Sequence, residues 1–124
     1  MKSYTDLEQS KVLSKILPLE SADMEYMFLK KDGSIVSRVP FIKDGYEEPD
    51  CPYNMVSCWS LTALLKYLSE IKPQVYTPVL FPSEGKWILQ FAEYGHGNVY
   101  EVSYDNPIDA CVALIKNLHE LKLL

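Results

Sequence analysis

Apolar residues recur at helical spacing in three segments of the chain. The first segment follows a possible capping box, Thr5 with Glu8, and ends before Pro18. The second, about residues 57–70, carries a leucine stripe at positions 61, 64, 65 and 68. In the third, Asn106 is the expected N-cap and Pro107 the first helical residue, and the apolar face continues toward the C-terminus. The pattern therefore predicts three helices.

The segments between these helices read as strands. Runs 24–30 and 34–42 flank Asp32-Gly33, and Asp-Gly is a typical hairpin turn. Runs 74–81, 86–94 and 98–104 are separated by short turns rich in Gly, Pro and Ser, which indicates a three-strand meander. Pro78 removes a ladder donor, so its run is expected at a sheet edge.

Hairpins dominate over parallel crossovers in this order of elements. The sequence therefore predicts an α+β fold, with an antiparallel sheet of about five strands (a hairpin plus a three-strand meander) and three helices packed mainly on one face. At 124 residues the chain has the length of one domain, and we expect residues 1–124 to form it.

Composition narrows the classes of function. The chain has 12 Lys+Arg against 17 Asp+Glu, and a net charge of -5 argues against nucleic acid as a partner. No apolar run approaches the ~18–20 residues of a membrane span, and no secretory signal opens the chain. The three cysteines have no metal-ligand spacing, so we expect reduced thiols, a cytoplasmic protein and neither metal nor cofactor.

Several segments together carry a family resemblance. They are WSLTALL at 59–65, DNPIDACV at 105–112, LHELKL at 118–123, YTDLEQS at 4–10 and LPLESADM at 17–24. They resemble a family of small uncharacterised proteins of gut anaerobic bacteria and of their phages and mobile elements. The resemblance assigns no activity to any residue. The lack of a catalytic motif and the acidic, tyrosine-bearing segment after residue 43 favour a small non-enzymatic accessory protein that acts through protein–protein interaction.

An enzymatic alternative begins at Cys58, which the helix prediction puts in the first turn of the second helix. There the helix dipole would lower the thiol pKa and favour the nucleophilic thiolate. Cys58-Trp59 resembles the Cys-Trp step of papain-like peptidases, and His96 with Asn98 would complete a cysteine hydrolase. Against this, no glycine-rich segment precedes Cys58, and a cysteine beside a leucine stripe is also a common core residue.

The segment 43–56 is long for a connection and carries two tyrosines and four carboxylates. Tyrosines supply contact area and a polar handle, so we expect a protein–protein interaction site here; an insertion without a role is the alternative. Its predicted contact residues are Tyr46, Glu47, Glu48, Asp50 and Tyr53. The partner is an unidentified protein or a second copy of the chain, since sheet edges pair when they are not guarded.

Overall fold

The computed structural model describes residues 2–43, 51–93, 95, 97 and 99–124. In these residues, three α-helices are separated along the chain by two groups of three strands. The helices are α1 (Leu7–Leu13), α2 (Leu61–Glu70) and α3 (Pro107–Glu120), with a short 3-10 helix at Leu19–Ser21. The strands are β1 (Met24–Leu29), β2 (Phe41–Ile42), β3 (Tyr53–Cys58), β4 (Tyr76–Ser83), β5 (Lys86–Glu93) and β6 (Val99–Tyr104).

The strands form two antiparallel sheets of three strands each, in the orders β2-β1-β3 and β4-β5-β6. The predicted α+β class is confirmed, and the single five-strand sheet is wrong. Residues 53–58, predicted as loop and helix start, pair along the whole of β1. The run 34–42 contributes only a bridge from Ile35 to Phe28 and the two residues of β2.

Local capping explains where the helices begin. The Asp6 carboxylate accepts from the Gln9 amide at 2.8 Å and the Gln9 side chain accepts from the Asp6 amide at 3.1 Å, so the capping box lies one residue after the predicted Thr5. Ser60 caps α2, which starts at Leu61 because residues 57 and 58 belong to β3. The predicted Asn106 cap of α3 is confirmed.

The main apolar core lies between one face of the second sheet and the helices α2 and α3. Leu64 of α2, Leu89 of β5 and Ile115 of α3 are fully buried in one hydrophobic cluster. The helix α1 instead contacts β3 of the first sheet. The predicted packing of the three helices mainly on one sheet face therefore describes α2 and α3, whereas α1 lies against the other sheet. In the described part of the chain, no helix is long and apolar enough to cross a membrane.

Candidate functional site

The strand β3 lies at the edge of the first sheet, and the N-terminal segment covers only one end of that edge. The Thr5 amide donates to the Trp59 carbonyl at 2.9 Å, and the Leu61 amide donates to the Ser3 carbonyl at 3.2 Å. Tyr4 forms an antiparallel bridge with Ser60 between these two bonds. After Asp6 the chain enters α1 and leaves the strand direction.

The remaining edge of β3 presents backbone hydrogen-bonding groups. Alternate residues of an antiparallel strand turn their N–H and C=O groups to opposite sides. Because the groups of Trp59 point toward the N-terminal segment, those of Ser57 and Met55 point the same way, away from β1. Within the described ranges no strand pairs with this part of β3.

A groove runs along this open edge, between β3 and α1. Its volume is about 430 Å³, and its walls are Lys11, Ser14, Lys15, Leu19, Met55, Val56 and Ser57. The side chains of Leu19 and Met55 are 52% and 42% exposed, which leaves apolar surface accessible in the groove. Open backbone groups and accessible apolar side chains therefore lie together.

Three lysines give the groove a positive charge in a chain whose net charge is -5. Lys11 is exposed on α1, and Lys15 is exposed in the turn that follows the helix. The Lys43 ammonium donates to the Leu19 carbonyl at 3.2 Å and to the Ser57 hydroxyl at 3.4 Å, so it lies at the Ser57 end. Glu25, the cross-strand neighbour of Ser57, is buried on β1.

Cys58 does not have the surroundings expected of an activated thiolate. It is the last residue of β3, and two residues separate it from the start of α2. Its predicted place in the first helical turn is therefore wrong. Its side chain is fully buried, where its thiol donates to the Thr5 carbonyl at 3.3 Å and accepts from the Thr5 hydroxyl at 3.4 Å. Burial raises the pKa of this thiol, which favours the neutral form.

Of the other predicted site residues, one is described by the structure and the rest are not. His96 and Asn98 of the hydrolase alternative lie outside the described residues, as do Tyr46, Glu47, Glu48 and Asp50 of the predicted interaction segment. Tyr53 is described, and it is the half-buried first residue of β3. The strand that forms the groove therefore begins inside the segment 43–56.

Sequence reasoning missed the lysines and the open edge. Lys11 and Lys15 are spaced i,i+4, which places both on one face of a helix, but their proximity to β3 depends on tertiary packing. The signal for the strand is weak, because the alternation of Tyr53, Asn54 and Met55 is broken where Val56 follows Met55. Among the described residues, no group of three or more His, Cys, Asp or Glu side chains is arranged to hold a metal ion.

Comparisons of the chain with protein-family models, with curated proteins and with solved structures find no match.

Proposed function

We propose that this protein is a non-enzymatic accessory protein that binds an acidic, extended segment of a partner protein along the open edge of β3. The observation that carries this proposal is a coincidence: the Met55 and Ser57 backbone groups, with which no strand pairs in the described ranges, lie beside a groove flanked by lysines. In this mode the partner segment adds a fourth strand to the sheet β2-β1-β3.

The path of such a segment is set by the N-terminal residues that already pair with β3. Residues 3–5 run antiparallel to residues 59–61. A bound strand in the same direction would continue that line past Ser57 and Met55, in the place that the chain vacates when it turns into α1. Main-chain hydrogen bonds would supply register, and the apolar side chains of Leu19 and Met55 would contact alternate residues of the segment.

Charge determines which segments fit. Lys11 and Lys15 line the groove, and Lys43 contacts the Ser57 hydroxyl at its end. The lysines would attract carboxylates on the partner, accelerate encounter and disfavour basic competitors, and added salt screens this attraction. Binding is therefore expected to weaken as salt concentration rises.

The test is selection of displayed random decapeptides on the immobilised protein. We expect enriched peptides to alternate apolar residues with Asp or Glu. Replacing both Lys11 and Lys15 with Glu should weaken their binding at least tenfold, since two attractive charges become repulsive. The matched control is the double replacement of Lys30 and Lys31 with Glu, the same charge change at the far end of β1.

A backbone variant separates strand addition from simple charge attraction. Met55→Pro removes an N–H that points away from β1, so the bonds within the sheet are kept while one bond to the peptide is lost. Peptides that bind Met55→Pro as tightly as they bind the unmodified protein would contradict strand addition. Failure to enrich any acidic alternating peptide would also contradict it.

A further inference from the structure

The second sheet has two outer edges, and only one of them is closed to further pairing. The turn from β4 to β5 has Glu84 at φ 52° and Gly85 at φ 80°, a two-residue hairpin turn in which Ser83 and Lys86 exchange hydrogen bonds. By alternation, the even-numbered residues of β4 turn their backbone groups outward. Two of these are Pro78 and Pro82, which have no N–H to donate.

The outer edge of β6 has no such protection. The same alternation directs Trp87, Leu89 and Phe91 of β5 toward β6, so their partners Tyr104, Val102 and Tyr100 turn inward. Glu101 and Ser103 therefore present their N–H and C=O groups outward. In the described part of the chain no strand pairs with them. The prediction that run 74–81 is an edge strand is confirmed, and its prolines make β6 the edge that remains available.

We infer that the outer edge of β6 pairs with the same edge of a second copy of this chain, about a two-fold axis at Val102. The result is an antiparallel six-stranded sheet across the dimer. This inference is independent of the proposed peptide groove, which lies on the other sheet.

Charge favours this register over its neighbour. With the axis at Val102, Glu101 of each copy lies opposite Ser103 of the other, and a serine hydroxyl can donate to a carboxylate. With the axis at Glu101, the two Glu101 carboxylates would lie directly opposite each other, which is destabilising. The Glu101 carboxylate already accepts from the Gln90 amide at 2.8 Å, which holds it beside the strand.

Two cavities lie beside β6, next to the tyrosines that this register brings together from the two copies. One, of about 400 Å³, lies between Tyr100 and the Leu114 and Leu121 side of α3. The other, of about 300 Å³, lies between Tyr104 and Ala113 of the same helix. The Val102 register places each Tyr104 opposite the other copy's Tyr100, on the face that α3 covers. The exposed Tyr104 ring of each copy therefore lies beside the larger cavity of the other copy, whereas the Tyr100 ring packs against the core of its own copy.

Sedimentation equilibrium of the intact chain tests the association. We expect a concentration-dependent mass that approaches twice the 14.2 kDa of one chain. Ser103→Asp places like charges across the interface and should weaken the dimer, whereas Ser103→Lys pairs with Glu101 and should tighten it. Each change is expected at about two- to thirty-fold in Kd, because two symmetry-related pairs change together. A single-chain mass up to about 1 mM, or no opposite response of the two variants, overturns the inference.

A cross-link tests the register itself. With the axis at Val102, this residue lies opposite Val102 of the second copy, in a pair without backbone hydrogen bonds. In such a pair a Cα separation of about 4.5 Å fits a disulfide. We expect Val102→Cys, in a Cys51→Ser background, to form a covalent dimer with oxidised glutathione, which is reduced as the two thiols are oxidised. The matched control, Val99→Cys, lies away from the axis and should run as a monomer in non-reducing electrophoresis. Cross-linking of Val99→Cys but not of Val102→Cys overturns the register.

Discussion

The two sheets of this protein are held by different kinds of contact. The sheet β4-β5-β6 carries the helices α2 and α3 on one face, and Leu89 and Phe91 of its central strand are at most 1% exposed. The sheet β2-β1-β3 buries Tyr26 and Cys58 among polar groups of the N-terminal segment, with Thr5 and Ser10 fully buried. One region is thus stabilised by apolar packing and the other by a hydrogen-bond network.

This difference explains why the proposed peptide site lies on the first sheet. Apolar packing is non-directional, so helices can cover the second sheet broadly. The network in the first sheet is directional, and along β3 and the residues after it the network holds the N-terminal segment against residues 58–61. Beyond that point the chain enters α1, and in the described ranges no strand pairs with the edge of β3. The groove therefore lies where this network ends.

The largest expected effect is a core truncation in the second sheet. Leu89→Ala removes a fully buried side chain between two helices and should lower the free energy of unfolding by about 2–5 kcal/mol. The matched change in the first sheet is Met27→Ala on the half-buried centre of β1, which should cost less than about 1.5 kcal/mol because solvent already reaches this side chain. Urea denaturation measures both, and equal costs would contradict the contrast between the two sheets.

A smaller effect is expected from the buried network of the first sheet. The Thr5 hydroxyl contacts the Ser10 hydroxyl at 2.8 Å and accepts from the Trp59 amide at 3.1 Å. Thr5→Val keeps the shape and removes these bonds, which leaves a buried N–H without a partner and should cost about 1–3 kcal/mol.

Thr5→Ser is the control for that variant, because it keeps the hydroxyl and loses only a methyl group. Thermal unfolding of both variants measures the difference. A Thr5→Val protein as stable as Thr5→Ser would show that water replaces the lost partner and that the network does not hold the N-terminal segment.

Local signals explain the parts of the fold that the sequence predicts well. The start of α3 depends on Asn106 and Pro107, which are adjacent in the chain and act on the same helical turn. The meander depends on two short turns, and its strands differ from the predicted runs by one or two residues at their ends. Alternation and turn chemistry are sufficient where pairing partners are neighbours in sequence.

Long-range pairing explains the parts of the fold that the sequence does not predict. β3 pairs with β1 across a separation of about 30 residues, and no local pattern specifies that partner. The leucine stripe begins only three residues after Cys58, so helical spacing alone extends the predicted helix over this residue. The groove was missed for the same reason, since it requires α1 and β3 to meet in space.

The smallest expected effect is a pH dependence at the contact between α1 and α3. Burial opposes ionisation of Asp109, but hydrogen bonds from Lys2, Gln9 and Asn106 outweigh it and lower the pKa of this carboxyl. A carboxyl with a lowered pKa in the folded state stabilises the protein above its unfolded value of about 3.9, and that contribution is lost as pH falls through the folded value. Partial exposure of the Lys2 pair keeps the effect small.

Asp109→Asn removes this carboxyl and should reduce the loss of stability as pH falls below about 4, while stability at pH 7 falls slightly. Lys2→Met is the companion variant, because it removes a donor that Asp109 shares with Asp6. It should also reduce the loss of unfolding free energy at acid pH. If the two changes act on one contact, the double variant should lose less than the sum of the single losses. Additive losses, or an acid limb unchanged in Asp109→Asn, would show that this contact does not couple α1 to α3, and the hydrogen bonds of Thr5 would then be the main link between the N-terminal segment and the rest of the fold.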